Sequence, residues 1–281
     1  MNDRKRRRAS PLLVGCAGWS LASKDARSFP GEGTHLERYA RVFPCVEINS
    51  SFYRPHQQKT YLRWAASVPE AFRFSVKMPQ TITHELRLRR AEKPLLTFLA
   101  EVSGLGARLG CILIQLPPGL ALDVRTARSF FSLLRKHTPL PVACEPRHAT
   151  WFTPKGAAVL SEAGVSCVWA HPSPVAGVEP PEGDPAMLYI RLHGSPQVYY
   201  SAYDDAFIKG VALRMRQAQE AGKVAWCIFD NTARGEAVPN ALTLLSQLNA
   251  RPCASSWSPH SVLRPRRTCR SSGRPFRRPR C

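Results

Sequence analysis

The amino-acid sequence predicts an α/β fold, a single barrel of eight parallel strands with helices around it. Eight short apolar runs of Val, Ile, Leu, Cys and Phe recur along the 281 residues, which is typical of strands that are buried on both faces. Most segments between the runs have helical patterns, so the strands are expected to be parallel. Nearly every run ends in polar or charged residues, as barrel strands do where their carboxyl ends form a site.

The individual elements follow from these runs in chain order. Strands are predicted at 12–17, 45–49, 72–77, 110–116, 141–145, 165–170, 186–193 and 223–229. The segments between them predict helices at 34–42, 57–67, 92–107, 123–136, 154–163, 204–221 and 237–249. The segment 171–185 contains five prolines, which exclude a long helix, so an irregular loop is expected between strands six and seven.

The barrel domain is predicted to cover residues 12–250, between two basic tails. Residues 1–11 carry +4 and residues 251–281 carry +9 of the formal net charge of +20. Both tails lack apolar periodicity and are predicted to be disordered, the second being rich in Arg and Pro. Because basic arms attract phosphate backbones, nucleic acid is a candidate partner through the tails.

The nine cysteines are interpreted as core residues rather than disulfide partners. Six of them lie in or beside predicted strands, where a thiol packs as a small apolar group. No CxxC pair and no zinc-ligand spacing is present in the sequence. The sequence also has no apolar run of membrane-spanning length and no secretory segment, so a cytoplasmic location with no membrane partner is predicted.

Ionisable residues at the strand ends form the predicted site. They are Glu47, Lys77, Glu145, Arg147, Arg191, His193 and Asp230. Side chains alternate across a strand, so Glu47 shares a face with Asn49, and Arg191 shares a face with His193. Because parallel strands bring their carboxyl ends to one mouth of a barrel, these residues are expected to converge there.

The leading hypothesis is an enzyme of isomerase or hydrolase type that performs acid–base chemistry on a small anionic, sugar-like or phosphorylated substrate. Glu47 and Glu145 are predicted to be the acid–base pair, with Arg147 keeping Glu145 ionised and Glu47 freer to titrate. His193 is a second proton carrier near neutral pH. Three cations are expected to clamp the anionic group: Lys77, Arg147 and Arg191.

Other interpretations of the same residues stay open. Glu47, Glu145, His193 and Asp230 are a ligand set for a hard divalent metal ion, although no cofactor is predicted. Lys77 is a candidate for imine chemistry. Arg191 is equally well interpreted as the neutralising partner of a buried carboxylate. Nucleic-acid binding or processing and non-catalytic metabolite binding are the alternative functions.

The strand-end motifs resemble those of one protein family. They read GCAGWS, VEINSSFYRP, FSVKMPQTITH, IQLPPG, CEPRHATWF, YIRLHG with YYSAYDD, and FDNTARGEAVPNAL. The series is similar to that of the YecE-like family, a domain of unknown function with a TIM-type barrel, over about residues 12–250. The resemblance implies the same barrel and candidate pocket residues, among them Glu47, Glu145 and His193, which are the residues predicted above to be catalytic. The other candidate pocket residues, predicted to bind the substrate, are Asn49, Ser51, Tyr53, Lys77, His84, Gln115, Arg147, Trp151, Arg191, Tyr203, Asp230 and Asn231.

One residue departs from the family pattern. Where similar sequences tend to have an Asp at the end of the sixth strand, this chain has His171. The exchange replaces an acid by a neutral or cationic group at a strand end. Aromatic residues near the same motifs, Tyr53, Trp151 and Tyr203 among them, are expected to stack on a substrate ring or to pack over the mouth.

Overall fold

The computed structural model describes residues 9–181 and 183–250, and the predicted barrel is confirmed in them. The strands are β1 (Leu12–Cys16), β2 (Cys45–Ile48), β3 (Arg73–Lys77), β4 (Leu109–Gln115), β5 (Val142–Glu145), β6 (Ser166–His171), β7 (Met187–Leu192) and β8 (Val224–Phe229). Consecutive strands from β2 to β8 pair in parallel, and β8 pairs with β1. The end of each strand lies within one residue of its predicted position.

The barrel closes between β1 and β2 through few backbone contacts. A parallel bridge joins Ala17 to Glu47, and the Gly18 N–H donates to the Glu47 carbonyl over 2.9 Å. The strands approach most closely at Gly15, where a Cβ atom would lie 2.1 Å from the Cys45 carbonyl oxygen. Glycine is therefore required on the first strand at the seam.

A tyrosine hydroxyl supplies a further bond at this seam. The Tyr39 hydroxyl accepts a hydrogen bond from the Cys16 N–H over 2.7 Å and donates one to the Cys45 carbonyl over 3.1 Å. Tyr39 is fully buried. The phenol thus pairs two backbone groups, one on each strand, that would otherwise be buried without partners.

The helices surround the barrel at close to their predicted positions. They are α1 (His35–Ala40), α2 (Ser50–Tyr53), α3 (Gln58–Ala66), α4 (Glu92–Val102), α5 (Val124–His137), α6 (Pro154–Glu162), α7 (Asp205–Glu220) and α8 (Ala237–Asn249). Local sequence fixes several of their starts. Thr34 and Glu37 form a capping box before α1, and the Asp204 carboxylate accepts from the Phe207 N–H at the start of α7.

The helical segments differ from the prediction in two places. The helix expected over 92–107 ends at Val102 and continues as a 3-10 segment over Ser103–Arg108. At this point Gly104 packs against α3, where a Cβ atom would lie 2.5 Å from the Gln58 carbonyl oxygen. Short turns that no periodicity predicts also follow two strands: α2 and a π-type turn at Thr81–Glu85. As predicted, the described residues of 172–186 contain no helix.

Alternation along the strands separates two cores. The outward side chains pack against the helices, as Val14, Val46 and Ile190 do. The inward apolar side chains are Leu13, Cys45, Cys111, Leu113, Ala143, Val168, Ala170, Met187, Tyr189, Trp226 and Ile228. At the carboxyl ends of the strands the inward positions become charged. Together these residues form the charged ring: Glu47, Lys77, Glu145, Arg147, Arg191, His193 and Asp230.

The predicted tails lie largely outside the described residues, which exclude 1–8 and 251–281. The nucleic-acid hypothesis, which depends on those tails, therefore stays a prediction. Residues 10 and 11 were assigned to the first tail but belong to the barrel: the Ser10 hydroxyl donates to the Gly222 carbonyl, and the Ala225 N–H donates to the Pro11 carbonyl. The six cysteines of the described residues are buried free thiols. Within the same residues, every helix is too short or too polar to cross a bilayer.

Candidate functional site

Arg191 lies at the centre of the charged ring and is fully buried. Its Nε and Nη2 donate to the two carboxylate oxygens of Glu47, over 3.1 and 2.8 Å. Its Nη1 donates to Glu145 Oε2 over 2.6 Å and to Gln115 Oε1 over 3.2 Å. The second Nη2 hydrogen reaches Asp230 Oδ2 over 2.9 Å. All five guanidinium hydrogens therefore have partners within the protein.

This geometry changes the role predicted for Arg191. A guanidinium whose five donors are used, and which has no exposed surface, offers nothing to a substrate anion. Burial lowers the pKa of Arg191, but Glu47, Glu145 and Asp230 outweigh that effect and hold it well above its usual value. Arg191 is thus a permanent cation that neutralises buried carboxylates, the other role considered for it from the sequence.

His193 lies between two carboxylates. Its Nδ1 is 3.0 Å from Asp230 Oδ2, and its Nε2 is 3.1 Å from Glu145 Oε1. Both bonds require both ring nitrogens to donate, which is the imidazolium form. Burial lowers the pKa of His193, but the adjacent carboxylates outweigh it and the net shift is upward. With both nitrogens occupied, His193 has no free position from which to exchange a proton with a ligand.

The two carboxylates beside His193 are held ionised. Burial raises the pKa of Glu145, but Arg191, His193 and Arg147 more than compensate and hold it well below its usual value. Arg147 contributes through its Nε and Nη2, which donate to Glu145 Oε1 over 3.1 and 2.9 Å. Burial also raises the pKa of Asp230, but Arg191 and His193 outweigh that effect, so the net shift is downward. The prediction that Arg147 keeps Glu145 ionised agrees with this arrangement.

Glu47 does not have the free environment that the sequence predicts for it. Its side chain is fully buried and paired bidentately with Arg191. The Tyr189 hydroxyl donates to Glu47 Oε2 over 2.9 Å, and the Ser75 hydroxyl lies 2.7 Å from the same phenol oxygen. Glu47 therefore has no exposed surface for a ligand. The acid–base pair of Glu47 and Glu145 stays a prediction, and the observed bonds favour electrostatic support of the ring instead.

Lys77 occupies the mouth of the barrel at the end of β3. Its Nζ lies 4.1 Å from the centre of the Phe52 ring, a cation–π contact. Burial and the charge of Arg191 lower the pKa of Lys77 to about 8, against the opposing effect of the ring carboxylates. Lys77 is thus a member of the charged ring whose protonation changes near neutral pH.

Arg147 and His84 lie near Lys77. The Arg147 side chain is 23% exposed, more than the other ion-paired side chains of the charged ring, so part of its guanidinium remains accessible. His84 packs edge-on against Phe52, with ring centres 4.9 Å apart, and its Nδ1 is 2.8 Å from the Thr83 hydroxyl. Burial, together with the charges of Lys77 and Arg147, lowers the pKa of His84. A neutral imidazole beside two cations is therefore expected at neutral pH.

Gln115 and Asn49 face the charged ring, as expected. Gln115 accepts from Arg191, and Asn49 Nδ2 donates to Asp230 Oδ1 over 3.4 Å. Both lie at the edge of the mouth and hold the ring in place.

Four of the predicted substrate-binding residues have structural roles. The Ser51 hydroxyl bonds to the backbone carbonyls of Ile48 and Lys77. Trp151 is buried and donates its Nε1 to the Leu120 carbonyl. The Tyr203 hydroxyl bridges β6 and β7 through the His171 carbonyl and the Gly194 N–H. Asn231 Nδ2 donates to the Ser201 carbonyl and to Asn240 of α8. The hydroxyls, the indole N–H and the Asn231 amide nitrogen are thus used within the protein, whereas Asn231 Oδ1 has no partner among the described residues. Substrate binding by these four residues stays a prediction.

Tyr53 packs edge-on against Phe52 and is exposed, whereas His171 points outward from its strand. Tyr53 is 72% exposed on the surface. His171 points outward from β6, since Ala170 takes the inward position, and it contacts the Tyr203 hydroxyl and the Phe207 ring. The exchange of Asp for His at position 171 therefore does not alter the inner face of the ring.

Tyr199 is one of the aromatic residues near the strand-end motifs, outside the predicted substrate-binding set, and it contacts the charged ring. Its ring meets the His193 ring edge-on, with centres 5.9 Å apart, and its backbone is left-handed with φ of 70°. A non-glycine residue in this region stores strain, which is found disproportionately at functional positions. Positive φ leaves no signature in the Tyr-Tyr sequence, so only coordinates reveal it.

The metal hypothesis fits the observed donors poorly. Among the residues the structure describes, no group of three or more His, Cys, Asp and Glu side chains is arranged to hold a metal ion. The carboxylate oxygens of Glu47, Glu145 and Asp230 are instead directed at Arg191 and His193. A guanidinium stands where those three carboxylates converge.

Comparisons with known proteins agree with the fold. The family model described as "Protein of unknown function DUF72" matches residues 13–262. UPF0759 protein YecE of Escherichia coli K12 is 40% identical over 84 residues, which are 30% of this chain and 31% of that protein. The match thus spans about a third of the E. coli relative. UPF0759 protein YunF of Bacillus subtilis 168 is 22% identical over 269 residues, covering 85% of this chain and 95% of that protein.

Two solved structures show the same architecture. A DUF72 family protein from Enterococcus faecalis V583 aligns with a TM-score of 0.71 at 22% identity, covering 87% of this chain and 100% of that one. A DUF72 family protein from Thermotoga maritima MSB8 aligns with a TM-score of 0.69 at 22% identity, covering 85% and 99%. At these identities the likeness shows the fold alone. With the family model matching most of the chain, the expected resemblance is confirmed: this chain belongs to the DUF72 family of proteins of unknown function.

Proposed function

We propose that this protein is an enzyme that transfers a proton to or from a small anionic, sugar-like or phosphorylated molecule at the mouth of the barrel. Lys77 is the proton-transfer group. Its pKa of about 8 is the observation that carries the proposal, because a general acid or base works best when its pKa lies near the operating pH.

The surrounding charges support this assignment. Glu47, Glu145 and Asp230 are paired with Arg191 and His193 beneath the mouth. Their charges are therefore compensated within the protein, and they serve to set the potential at Lys77. A perturbed lysine in a polar cleft is a candidate functional residue on physical grounds.

Arg147 provides the permanent charge for the anion. Two of its nitrogens bond to Glu145, and its side chain remains partly exposed toward the mouth. Guanidinium groups bind carboxylate and phosphate with directed donors, which orients the ligand as well as attracting it. His84, neutral at working pH, is placed to add a hydrogen bond.

The test uses the full-length chain and a panel of aldose and ketose phosphates in D2O. Incorporation of solvent deuterium at the carbon next to the carbonyl, followed by proton NMR, reports proton abstraction directly. Exchange is expected with the wild type and with Lys93→Met, a control lysine exposed on α4. Exchange should fall by at least roughly a hundredfold in Lys77→Met, within the usual contribution of a general acid–base group.

Binding is measured in parallel by titration calorimetry with inorganic phosphate. Arg147→Met should weaken phosphate binding at least roughly tenfold, since it removes a charge-assisted contact. Phosphate binding that depends on Arg147, with no exchange in any compound, would instead favour the metabolite-binding alternative. Equal phosphate affinity in the wild type, Lys77→Met and Arg147→Met would contradict the proposal.

Imine formation at Lys77 is a second candidate favoured by the same pKa. A lysine with this pKa has roughly a tenth of its amine in the nucleophilic neutral form at pH 7, far more than an ordinary lysine. Borohydride added in the presence of a ketose phosphate would trap such an adduct. A mass increase that maps to Lys77 would move the proposal from proton transfer to covalent catalysis.

A further inference from the structure

An open cavity of about 550 Å³ adjoins the charged ring over the carboxyl ends of β1, β2 and β8. Its volume lies within the range typical of small-molecule sites. Its polar lining is supplied by Trp19, Ser20, His35, Asn49, Ser50 and Thr232. Ala237 and Val238, at the start of α8, form an apolar part of the wall. The sequence prediction assigns Asn49 to the mouth but does not anticipate this separate chamber.

The cavity differs from the mouth in charge. Its lining residues all belong to the described part of the chain, and none of them is Asp, Glu, Lys or Arg. The groups available are hydroxyls, an amide, an imidazole and an indole. Such a lining recognises an uncharged polar molecule by hydrogen bonds, whereas the adjacent mouth contains Lys77 and Arg147.

Asn49 carries an unused acceptor at the boundary of the two regions. Its Nδ2 donates to Asp230 Oδ1, which fixes the orientation of the amide. Its Oδ1 is buried and has no hydrogen-bond partner among residues 9–181 and 183–250. Buried polar atoms nearly always have a partner, so this oxygen is expected to accept from a water molecule or from a ligand that displaces it. A hydroxyl group satisfies it, whereas an ionised phosphate oxygen cannot.

His35 and Trp19 complete the recognition of a hydroxyl-bearing ring. His35 Nδ1 accepts from the Leu21 N–H over 3.2 Å, so in the neutral ring Nε2 carries the hydrogen and is a donor. Trp19 is braced edge-on by Trp64, with ring centres 5.0 Å apart. An indole presents a flat apolar surface suited to the C–H face of a sugar ring. The wall therefore combines a donor, an unpaired acceptor and an aromatic surface.

We infer that this cavity binds the uncharged, hydroxyl-bearing sugar ring of an extended substrate whose anionic group lies at Lys77 and Arg147. The inference rests on the proposed function for the position of the anion, and it adds the second half of the substrate. The hydrogen bond from Asn49 to Asp230 joins the two regions, so one molecule spans both. A ligand with both parts is expected to bind much more tightly than either part alone.

The test uses the full-length protein and three probes: methyl α-glucopyranoside, inorganic phosphate and glucose 6-phosphate. The NMR signal of the Trp19 indole N–H, assigned with Trp19→Phe, reports occupation of the cavity, and calorimetry gives affinities. Methyl glucoside should shift the Trp19 signal. Glucose 6-phosphate should bind at least roughly tenfold more tightly than either of the other two probes.

Matched variants test the cavity and the anion site at Lys77 and Arg147 independently. Asn49→Ala should reduce glucoside binding at least roughly tenfold, because it removes the acceptor for a hydroxyl. It should weaken inorganic phosphate binding much less, since there it removes only a hydrogen bond to Asp230. Asn249→Ala, an exposed asparagine at the end of α8, should bind all three probes as the wild type does. Lys77→Met should weaken phosphate and glucose 6-phosphate but not the glucoside. Thermal unfolding of each variant checks that the fold is retained.

The outcomes distinguish this inference from the proposed function. A Trp19 signal that no sugar shifts would overturn the cavity assignment, even if phosphate binding still depends on Lys77. Inorganic phosphate that shifts the Trp19 signal and is lost in Asn49→Ala would overturn it too, since the cavity would then be an anion site. Glucoside binding with no phosphate binding would support the cavity and contradict the proposed function.

Discussion

Replacing Arg191 with methionine should destabilise the barrel more than any single exposed substitution. The change leaves Glu47, Glu145 and Asp230 buried without their common cation. Breaking one buried ion pair by removing a partner costs about 3–5 kcal/mol. Because three carboxylates lose their partner here, the loss is expected at the upper end of that range. It is a large fraction of the roughly 5–15 kcal/mol that stabilises a typical domain.

The assay is urea unfolding at pH 7, with a second arginine as the control. Arg128 forms a bidentate pair with Glu162 at 2.8 Å, but their side chains are 54% and 52% exposed. Exposed pairs contribute about 0.2–1 kcal/mol, so Arg128→Met should change the free energy of unfolding by no more than that.

Two further variants keep the test decisive if Arg191→Met does not fold. Arg191→Lys keeps the charge but loses the forked geometry, and should fold with an intermediate loss. Adding Glu47→Gln to Arg191→Met removes one unpaired charge and should recover part of the stability. An Arg191→Met protein within about 1 kcal/mol of the wild type would refute the conclusion that Arg191 neutralises the ring.

Three more substitutions test the seam and the ring. Tyr39→Phe leaves the Cys16 N–H and the Cys45 carbonyl without their phenol and should cost about 1–3 kcal/mol in urea unfolding; an unchanged midpoint would contradict this. Gly15→Ala should lower the free energy of unfolding by at least about 1–3 kcal/mol, because its Cβ would lie 2.1 Å from a backbone oxygen. An unchanged free energy of unfolding would show that β1 and β2 can move apart without cost. The pKa of His193 is raised in the fold, so its contribution is present below the ordinary value of 6.5 and is lost as pH rises through the raised value. His193→Gln should therefore flatten the decline in stability between pH 6.5 and the raised pKa of His193. An unchanged profile would contradict the charged imidazole.

The sequence was sufficient to predict the barrel because its strands are short, apolar and evenly separated by helical segments. It also predicted that charged residues converge, since alternation along a strand fixes which side chains face the interior. Glu47, Glu145 and Arg191 meet there although Glu47 and Arg191 are 144 residues apart in the chain. The outward position of His171 follows from the same alternation, because Ala170 precedes it.

The choice of partners within the ring was beyond the sequence. Alternation tells which side of the sheet a residue faces but not its position along the barrel axis. That position depends on how each strand is registered against its neighbours. Arg191 therefore appeared equally suited to a ligand and to a carboxylate, and only its five bonds decide between them. Beyond the strand ends alternation no longer applies, which is why the sequence does not predict the bonds that Trp151, Tyr203 and Asn231 make within the protein.

The central claim is that the ring creates a lysine that titrates near neutral pH, and the pKa of Lys77 tests it most directly. Protein labelled with 13C-lysine, with the Lys77 signal assigned through Lys77→Arg, allows the Cε chemical shift to be followed from pH 6 to 11. The account predicts a midpoint of about 8 for Lys77, well below the ordinary value for lysine of about 10.4. A Lys77 midpoint near that ordinary value would contradict the claim.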